Sequence, residues 1–314
     1  MRMVFAGLLA ALCLSSPARA DDTLRIAVGQ RGLWDTSVAE LGQRGGIFKK
    51  HGIVLDILYT QGGGETQQAV ISGSVELGAS AGVLGVFGAY SKGAPLRIIG
   101  AEMTGGADLF WYVRADSPVR NLRDTDGKTI AYSTNGASTH AIVNAFVKQY
   151  DLKAKPVATG SPPSTLTQVM SGQVDVGWAG PPFGLDLIDQ GKIRIIASGN
   201  DATAFRNQTV RLLITNAATL AARRPAIVRF MAAYRETVDW MYSDPVVFKH
   251  YSDFIGVSEA TGRRGRDGFY PKAALDPDAI VGIDAINADA VAFKYMAGPL
   301  TKEQLAELIQ IPPR

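Results

Sequence analysis

Two stretches of the chain carry one pattern. Residues 72–78 read Ser-Gly-Ser-Val-Glu-Leu-Gly and residues 171–177 read Ser-Gly-Gln-Val-Asp-Val-Gly, so that Gly177 falls 99 positions after Gly78. The flanks echo as well: Lys92-Gly-Ala-Pro-Leu-Arg-Ile-Ile99 is answered by Gln190-Gly-Lys-Ile-Arg-Ile-Ile196. A chain that writes a glycine-terminated strand and its turn twice at this distance is committed to two similar units, whose turns face the same way.

Each copy sits in an alternation of strand and helix. In the first, Leu24–Gly29 reads as a buried strand, 34–50 as a helix stopped by Gly52, and Ile53–Tyr59 as a strand. Glu65–Ser72 then reads as a helix, Val75–Gly78 as the repeated strand, Val83–Lys92 as a helix and Leu96–Gly100 as a strand. The pattern restarts with strands at Thr129–Ser133, Pro156–Thr159, Val174–Gly177 and Ile193–Ala197, separated by helices at Thr139–Tyr150, Ser164–Ser171 and Phe183–Gln190. Such alternation means parallel sheets with crossover helices. Leu109-Phe-Trp-Tyr-Val113 and Val210-Arg-Leu-Leu-Ile214 read as strands passing between the units.

The predicted fold class is therefore α/β, two doubly wound lobes joined by two crossing strands, with a ligand cleft between the lobes. Ligands of open α/β sheets bind beyond the carboxyl ends of the strands. After the second crossing only helices remain. Pro225 stands at a helix start, with Ile227, Met231, Tyr234, Val238 and Met241 on one face, and Thr301-Lys-Glu-Gln304 is a capping box for the last helix. The expected division is 1–20 as a signal peptide, 21–108 with 215–314 as the first lobe and its C-terminal helices, and 109–214 as the second lobe including the crossing strands.

The first twenty residues are a separate object. Arg2 precedes an apolar run from Met3 to Leu14, and Ala18-Arg19-Ala20 closes it with a small-x-small signature. The run is too short to span a bilayer and reads as a secretory signal peptide cleaved after Ala20. No other apolar stretch approaches the length of a span, so a soluble chain exported to the bacterial periplasm is expected. Bulky Leu12 before Cys13 disfavours a lipid anchor there. Cleavage removes Arg2, Arg19 and Cys13, the sole cysteine, leaving 30 basic residues against 29 acidic ones. The sequence pI of about 8.9 thus makes no case for nucleic acid. Without Cys13 there is no disulfide, thiol nucleophile or thiolate ligand.

One rival chemistry is written in the chain. Gly78-Ala-Ser-Ala-Gly82 matches the G-x-S-x-G nucleophile elbow of hydrolases, and His140 and His250 lie downstream. The repeat speaks against it, because the second copy places Ala179 opposite Ser80 and keeps the turn without a nucleophile. His51, His140 and His250 are far apart and form no metal motif, and no phosphate-binding loop is present. Neither a cofactor nor a metal is expected, and the chain is not read as an enzyme.

Several segments, in order and spacing, resemble the type II periplasmic solute-binding proteins of the nitrate, taurine, sulfonate and thiamine-precursor group (NMT1/THI5-like). They are Gly46-Ile-Phe-Lys-Lys-His-Gly-Ile-Val-Leu, Ser72-Gly-Ser-Val-Glu-Leu-Gly, Thr134-Asn-Gly-Ala-Ser-Thr139, the apolar helix after Pro225 and the terminal Leu300-Thr-Lys-Glu-Gln-Leu. The resemblance implies a monomeric receptor that takes a small-molecule ligand by lobe closure and hands it to the permease and ATPase subunits of an ABC importer. Where many relatives carry an acidic residue before the proline that follows the second-lobe strand, this chain reads Trp178-Ala-Gly-Pro-Pro182. Biosynthetic enzymes share the fold, but the synthases resembled have a cysteine-rich motif that is absent here.

Within that reading, Ser133-Thr-Asn-Gly-Ala-Ser-Thr139 follows a strand and opens a helix. Unpaired N–H groups at Asn135, Gly136, Ala137, Ser138 and Thr139 favour a small anion such as a sulfonate, carboxylate or nitrate; capping alone is the plainer role for Ser138 or Thr139. Trp34 and Trp178 follow strand ends and are candidates to stack on a ligand. Ser80, Ala81 and Met103 end first-lobe strands and complete that wall, Pro181 follows the second-lobe strand, and Asp35 either binds a ligand donor or caps the helix it precedes. Arg31 is the one arginine of the first-lobe loops that is a candidate to face the cleft, its direction open.

Overall fold

The structure, a computed structural model, describes residues 21–314. The signal-peptide reading of residues 1–20, with Cys13, lies outside the described residues.

The first lobe runs β1 (Asp22–Gly29), α1 (Val38–Arg44), α2 (Ile47–Lys50), β2 (Ile53–Thr60), α3 (Gly63–Ile71), β3 (Leu77–Gly82), α4 (Val83–Ser91) and β4 (Leu96–Thr104). The helix expected over 34–50 is two, because Gly45-Gly46 breaks it and Gly46 takes the left-handed φ of 73°. The repeated strand is shifted: Gly78–Gly82, read as a turn, lies inside β3. Small residues let it lie close to its neighbours, since a Cβ at Gly78 would stand 2.9 Å from both Thr66 and Val70 of α3.

The second lobe repeats the plan with β5 (Phe110–Arg114), β6 (Thr129–Tyr132), α5 (Ser138–Tyr150), β7 (Lys155–Ala158), α6 (Pro162–Met170), β8 (Gly177–Ala179), α7 (Leu185–Asp189) and β9 (Ile193–Ser198). The chain then forms β10 (Thr209–Asn216) and the helices α8 (Ala217–Ser243), α9 (Val247–Ile255), α10 (Glu259–Phe269), α11 (Ile283–Ala292) and α12 (Lys302–Leu308).

Strand order shows what the sequence repeat encodes. The large sheet is ordered β2-β1-β3-β10-β4, with β10 antiparallel to both neighbours. In the second lobe β8-β5-β9 form one sheet and β6-β7 another, and the Ile130–Val176 bridge joins β6 to the approach to β8. The order is thus β7-β6-β8-β5-β9, with β5 antiparallel to β8 and β9. β3 and β8, the strands that carry the repeated pattern, hold the same place in the two lobes.

Each lobe's antiparallel strand comes after a crossing, and this moves the hinge. Val210–Ile214 was expected to cross between lobes, and Leu109–Val113 likewise; both lie almost wholly inside sheets, as β10 and β5. The crossings are the segments 105–109 and 199–208. They are tied together by Gly105 N–H to the Gln208 carbonyl at 3.0 Å, Gly199 N–H to the Leu109 carbonyl at 2.7 Å and Gly106 N–H to Asn200 Oδ1 at 2.9 Å.

The C-terminal helices pack on the first lobe. α8 begins at Ala217, capped by Asn216, so Pro225 stands inside it rather than at its start; Arg223 has φ −119° there and marks a kink. Proline lacks the N–H and disfavours helical geometry just before it. Beyond the kink Ile227, Met231, Tyr234, Val238 and Met241 are all buried, and Thr301–Gln304 caps α12 as a capping box.

Candidate ligand-binding site

The carboxyl ends of β1 and β3 in one lobe meet those of β6 and β8 in the other. Between them is a cavity of about 10 Å³, lined from the first lobe by Gln30, Gly63, Ser80 and Arg211, and from the second by Ser133, Ala137–Thr139 and Trp178. That is room for about one water, so the lobes are closed on each other.

Closure brings together two helix starts, those of α3 at Gly63 and α5 at Ser138. Gly64 N–H donates to Thr134 Oγ1 at 3.1 Å, Gln67 Nε2 donates to the Gly136 carbonyl at 3.3 Å, and Ser161 N–H donates to Gln61 Oε1 at 3.2 Å. Glycines make this fit. A Cβ at Gly62 would stand 2.6 Å from Thr134 Oγ1, and one at Gly82 would stand 2.7 Å from the Ser138 nitrogen. On the rim, Arg264 of α10 pairs with Asp189 of α7, and Tyr270 donates to the Pro181 carbonyl at 2.9 Å.

The floor is ionic and fully buried. Arg211 donates to Asp108 through Nη2 at 2.5 Å and is ion-paired with Asp35, its Nε 2.9 Å from the carboxylate but not aligned for a hydrogen bond, and its Nη1 lies 3.5 Å from the Ser138 hydroxyl across the cleft. Glu102 accepts from the Ser80 N–H and leaves Oε1 without a partner. Burial pushes Glu102 well above the usual carboxylate range, helped by Asp35, and pushes Asp108 up to about 7 against the pull of Arg211. Burial alone would lower the Arg211 pKa; Asp108, Asp35 and Glu102 overcome it and hold the guanidinium's proton tightly. Two edges of the arginine are thereby committed and one faces the cleft.

Backbone strain collects at the same place. Gln30 and Ser80 both have left-handed φ, 84° and 63°, at a cost of order 1–3 kcal/mol each. The Gln30 amide donates to the Gln61 carbonyl and leaves Oε1 without a partner, and the Trp178 indole N–H is also buried and unpartnered.

Of the residues expected at the site, Ser80, Ala137, Ser138, Thr139 and Trp178 line the cavity. Thr139 also braces its own turn, accepting from the Ser133 N–H at 3.0 Å. Asn135 and Gly136 form the lobe-to-lobe contact beside the cavity, the Asn135 side chain accepting from Tyr132 at 2.7 Å. Asp35 caps nothing: it sits inside a short 3-10 turn and pairs with Arg211. Trp34 is walled in by Phe248 at 5.5 Å and Tyr251 at 5.0 Å between ring centroids, which leaves no face for a ligand. Ala81 and Met103 are wholly buried within β3 and β4, and Pro181 lies under α10. Arg31 points away, donating to the Phe254 carbonyl at 2.7 Å.

Gln30, Arg211, Asp108 and Glu102 were not expected. Arg211 had a signal: a charge inside the apolar run Val210-Arg-Leu-Leu-Ile is costly unless paired. Ser80 does have the strained backbone of an elbow, but the three histidines are engaged elsewhere. His51 pairs with Glu236, His250 packs on Trp240 and His140 Nδ1 faces the Gly136 N–H.

The chain matches the model of a family described as NMT1/THI5 like over residues 40–247. It is 25% identical over 141 residues to a putative aliphatic sulfonates-binding protein of Escherichia coli K12, covering 44% of either chain. It is also 21% identical over 231 residues to the 4-amino-5-hydroxymethyl-2-methylpyrimidine phosphate synthase THI12 of Saccharomyces cerevisiae, covering 68% of this chain and 66% of that one. The match spans less than two thirds of the length of these curated relatives. Among solved structures, the alkanesulfonate-binding protein SsuA from Xanthomonas axonopodis pv. citri bound to MOPS superposes with a TM-score of 0.77 at 19% identity, over 94% of this chain and all of that one. The periplasmic nitrate-binding protein NrtA from Synechocystis PCC 6803 gives 0.71 at 12% identity, over 92% and 86%.

Proposed function

Because the chain belongs to the NMT1/THI5-like family, we propose that it is the periplasmic solute-binding component of an ABC importer, capturing a small anion by lobe closure. A membrane permease and its ATPase are the partners this role requires, and the receptor acts as a monomer after loss of residues 1–20. The observation that carries the reading is Arg211. Asp35 and Asp108 fix two of its edges and leave Nη1 directed at Ser138, where α5 begins. Nη1 and the Ser138 hydroxyl are 3.5 Å apart in the closed form, so a ligand oxygen enters with the lobes parted and then meets one guanidinium N–H, the first amides of α5 and the Ser138 hydroxyl. Charge-assisted hydrogen bonds of this kind are worth about 1.5–3 kcal/mol each. The Trp178 N–H is a further donor, and the strain at Gln30 and Ser80 fits a site shaped ahead of its ligand.

A thermal-shift screen against alkanesulfonates, carboxylates, nitrate and pyrimidines tests this. A ligand that binds only the folded state adds about 2.7 kcal/mol at a hundredfold excess over Kd. Stabilisation by a sulfonate, carboxylate or nitrate supports the reading, and indifference to all three overturns it. The synthase relatives favour one other outcome, stabilisation by pyrimidines alone, which would point to a biosynthetic role.

A further inference from the structure

One imidazole stands at the seam between the second lobe and the first. His140, in the first turn of α5, is stacked on Tyr132 at 4.4 Å and set edge-on to Tyr295 at 6.1 Å between centroids. Its Nδ1 lies 3.2 Å from the Gly136 nitrogen and 3.2 Å from the Tyr295 hydroxyl. An amide N–H can only donate, so Nδ1 carries the lone pair and the neutral ring's proton sits on Nε2. Tyr295 follows α11 and packs with the first lobe, its backbone pressed on Gly88 of α4. The same nitrogen therefore holds the Thr134–Ala137 turn and ties it across to the opposite lobe. Gly136 is where that turn seats, its carbonyl receiving Gln67 and resting on Gly82 and Gly85.

We propose that His140 is a positioning residue for closure: its neutral ring shapes the 134–137 turn to fit α3 and α4, and its charged ring releases that turn. A proton on Nδ1 would point at the Gly136 N–H, donor against donor. The Tyr295 hydroxyl can rotate to accept, but a backbone amide cannot. The inference rests on the closure reading of the proposed function, though not on any particular ligand.

The surroundings set the direction of the effect. Burial lowers the His140 pKa. The titratable groups against the ring are Tyr132 of β6 and Tyr295, whose phenols burial raises and so keeps neutral. Lys148, further along α5, is turned to the Phe293 ring at 5.0 Å, and Asp289 of α11 receives Gln208 at 3.1 Å. A histidine with a lowered folded pKa favours the closed form above the ordinary value near 6.5. That contribution is lost as pH falls from there toward the folded value, and below it the accepting form drops about tenfold per pH unit.

The test is small-angle X-ray scattering of the purified protein at about pH 7.5 and about pH 5, for wild type, His140→Asn and His140→Phe. Asn places Oδ1 where Nδ1 stands and accepts from Gly136 without titrating. The expected result is a wild-type radius of gyration that grows on acidification, an Asn variant that stays compact at both pH values and a Phe variant expanded at both. An imidazole titration below the ordinary range, assigned by NMR through its loss in the Asn variant, accompanies it. A wild-type radius indifferent to pH overturns the proposal, as does an Asn variant that swells like wild type or an Nδ1-protonated tautomer at neutral pH. These readouts need no ligand, so failure of the anion screen leaves them intact and their failure leaves the screen standing.

Discussion

Arg211 shares its buried site with Asp35, Asp108 and Glu102, so the floor of the cleft holds more carboxylates than cations. Removing the arginine alone leaves those acids without compensation. Arg211→Leu should cost about 3–5 kcal/mol, as breaking a buried pair does, and chemical denaturation would show a smaller loss under acid conditions that neutralise the carboxylates. Glu102 acts in the opposite sense to an ordinary ion-paired acid. Its folded pKa is raised, so its contribution is fully present below the unfolded value and is lost as pH rises toward the folded one. Glu102→Gln, which still accepts from the Ser80 N–H, should melt no lower than wild type near pH 5 and higher near pH 8, by about 1.4 kcal/mol for each pKa unit removed. A variant less stable at both would show that the ionised carboxylate is needed. Ser138 and Thr139 also separate. Thr139→Ala should lower stability, because its hydroxyl accepts inside the turn, whereas Ser138→Ala should leave the melting temperature alone and weaken anion binding by about 1.5–3 kcal/mol, as loss of a hydrogen bond to a charged group does.

At the scale of elements, the two lobes meet through helix starts and glycines rather than through side-chain pairs. Gly85 lies inside α4, where alanine would favour the helix by about 1 kcal/mol. Yet a Cβ there would stand 2.8 Å from Gln67 Nε2, 3.0 Å from the Gly136 carbonyl carbon and closer still to that carbonyl's oxygen. Gly85→Ala should therefore melt no lower than wild type and close less well, giving a larger radius of gyration in scattering at neutral pH; an unchanged radius would mean the contact relaxes. Much of this level was legible. Strand ends, the repeat and the α5 start were visible in sequence, and they placed Ser80, Trp178 and Ala137–Thr139 on facing walls. What could not be read is non-local. Asp108 meets Arg211 across 103 positions, and Trp34 is covered by helices α8 and α9 from the far end of the chain. The antiparallel insertion of β10 between β3 and β4 decides all of these, and a local pattern of apolar residues says nothing of a strand's neighbours.

For the whole molecule, the same insertion explains why the crossings are short. β5 and β10 are held inside their sheets, so rotation between lobes must be absorbed by residues 105–109 and 199–208. The two segments touch at glycines: a Cβ on Gly199 would stand 3.1 Å from the Gly106 carbonyl carbon and closer still to its oxygen. Gly199 is not among the left-handed glycines, so alanine is tolerated by its backbone and objects only to the neighbouring crossing segment. Gly199→Ala should spread the crossings and shift the lobes toward the open form while leaving the polar residues that line the cavity unchanged. Apparent affinity then falls by the fraction of molecules able to close, the intrinsic Kd divided by that fraction. Scattering in the absence of ligand should show a larger radius of gyration than wild type. Titration with whichever anion the thermal screen selects should show weaker binding, and saturating ligand should restore the wild-type radius. If binding weakens while the unliganded radius is unchanged, the glycine pair serves the cavity rather than the hinge, and the crossings at 105–109 and 199–208 are not where the molecule bends.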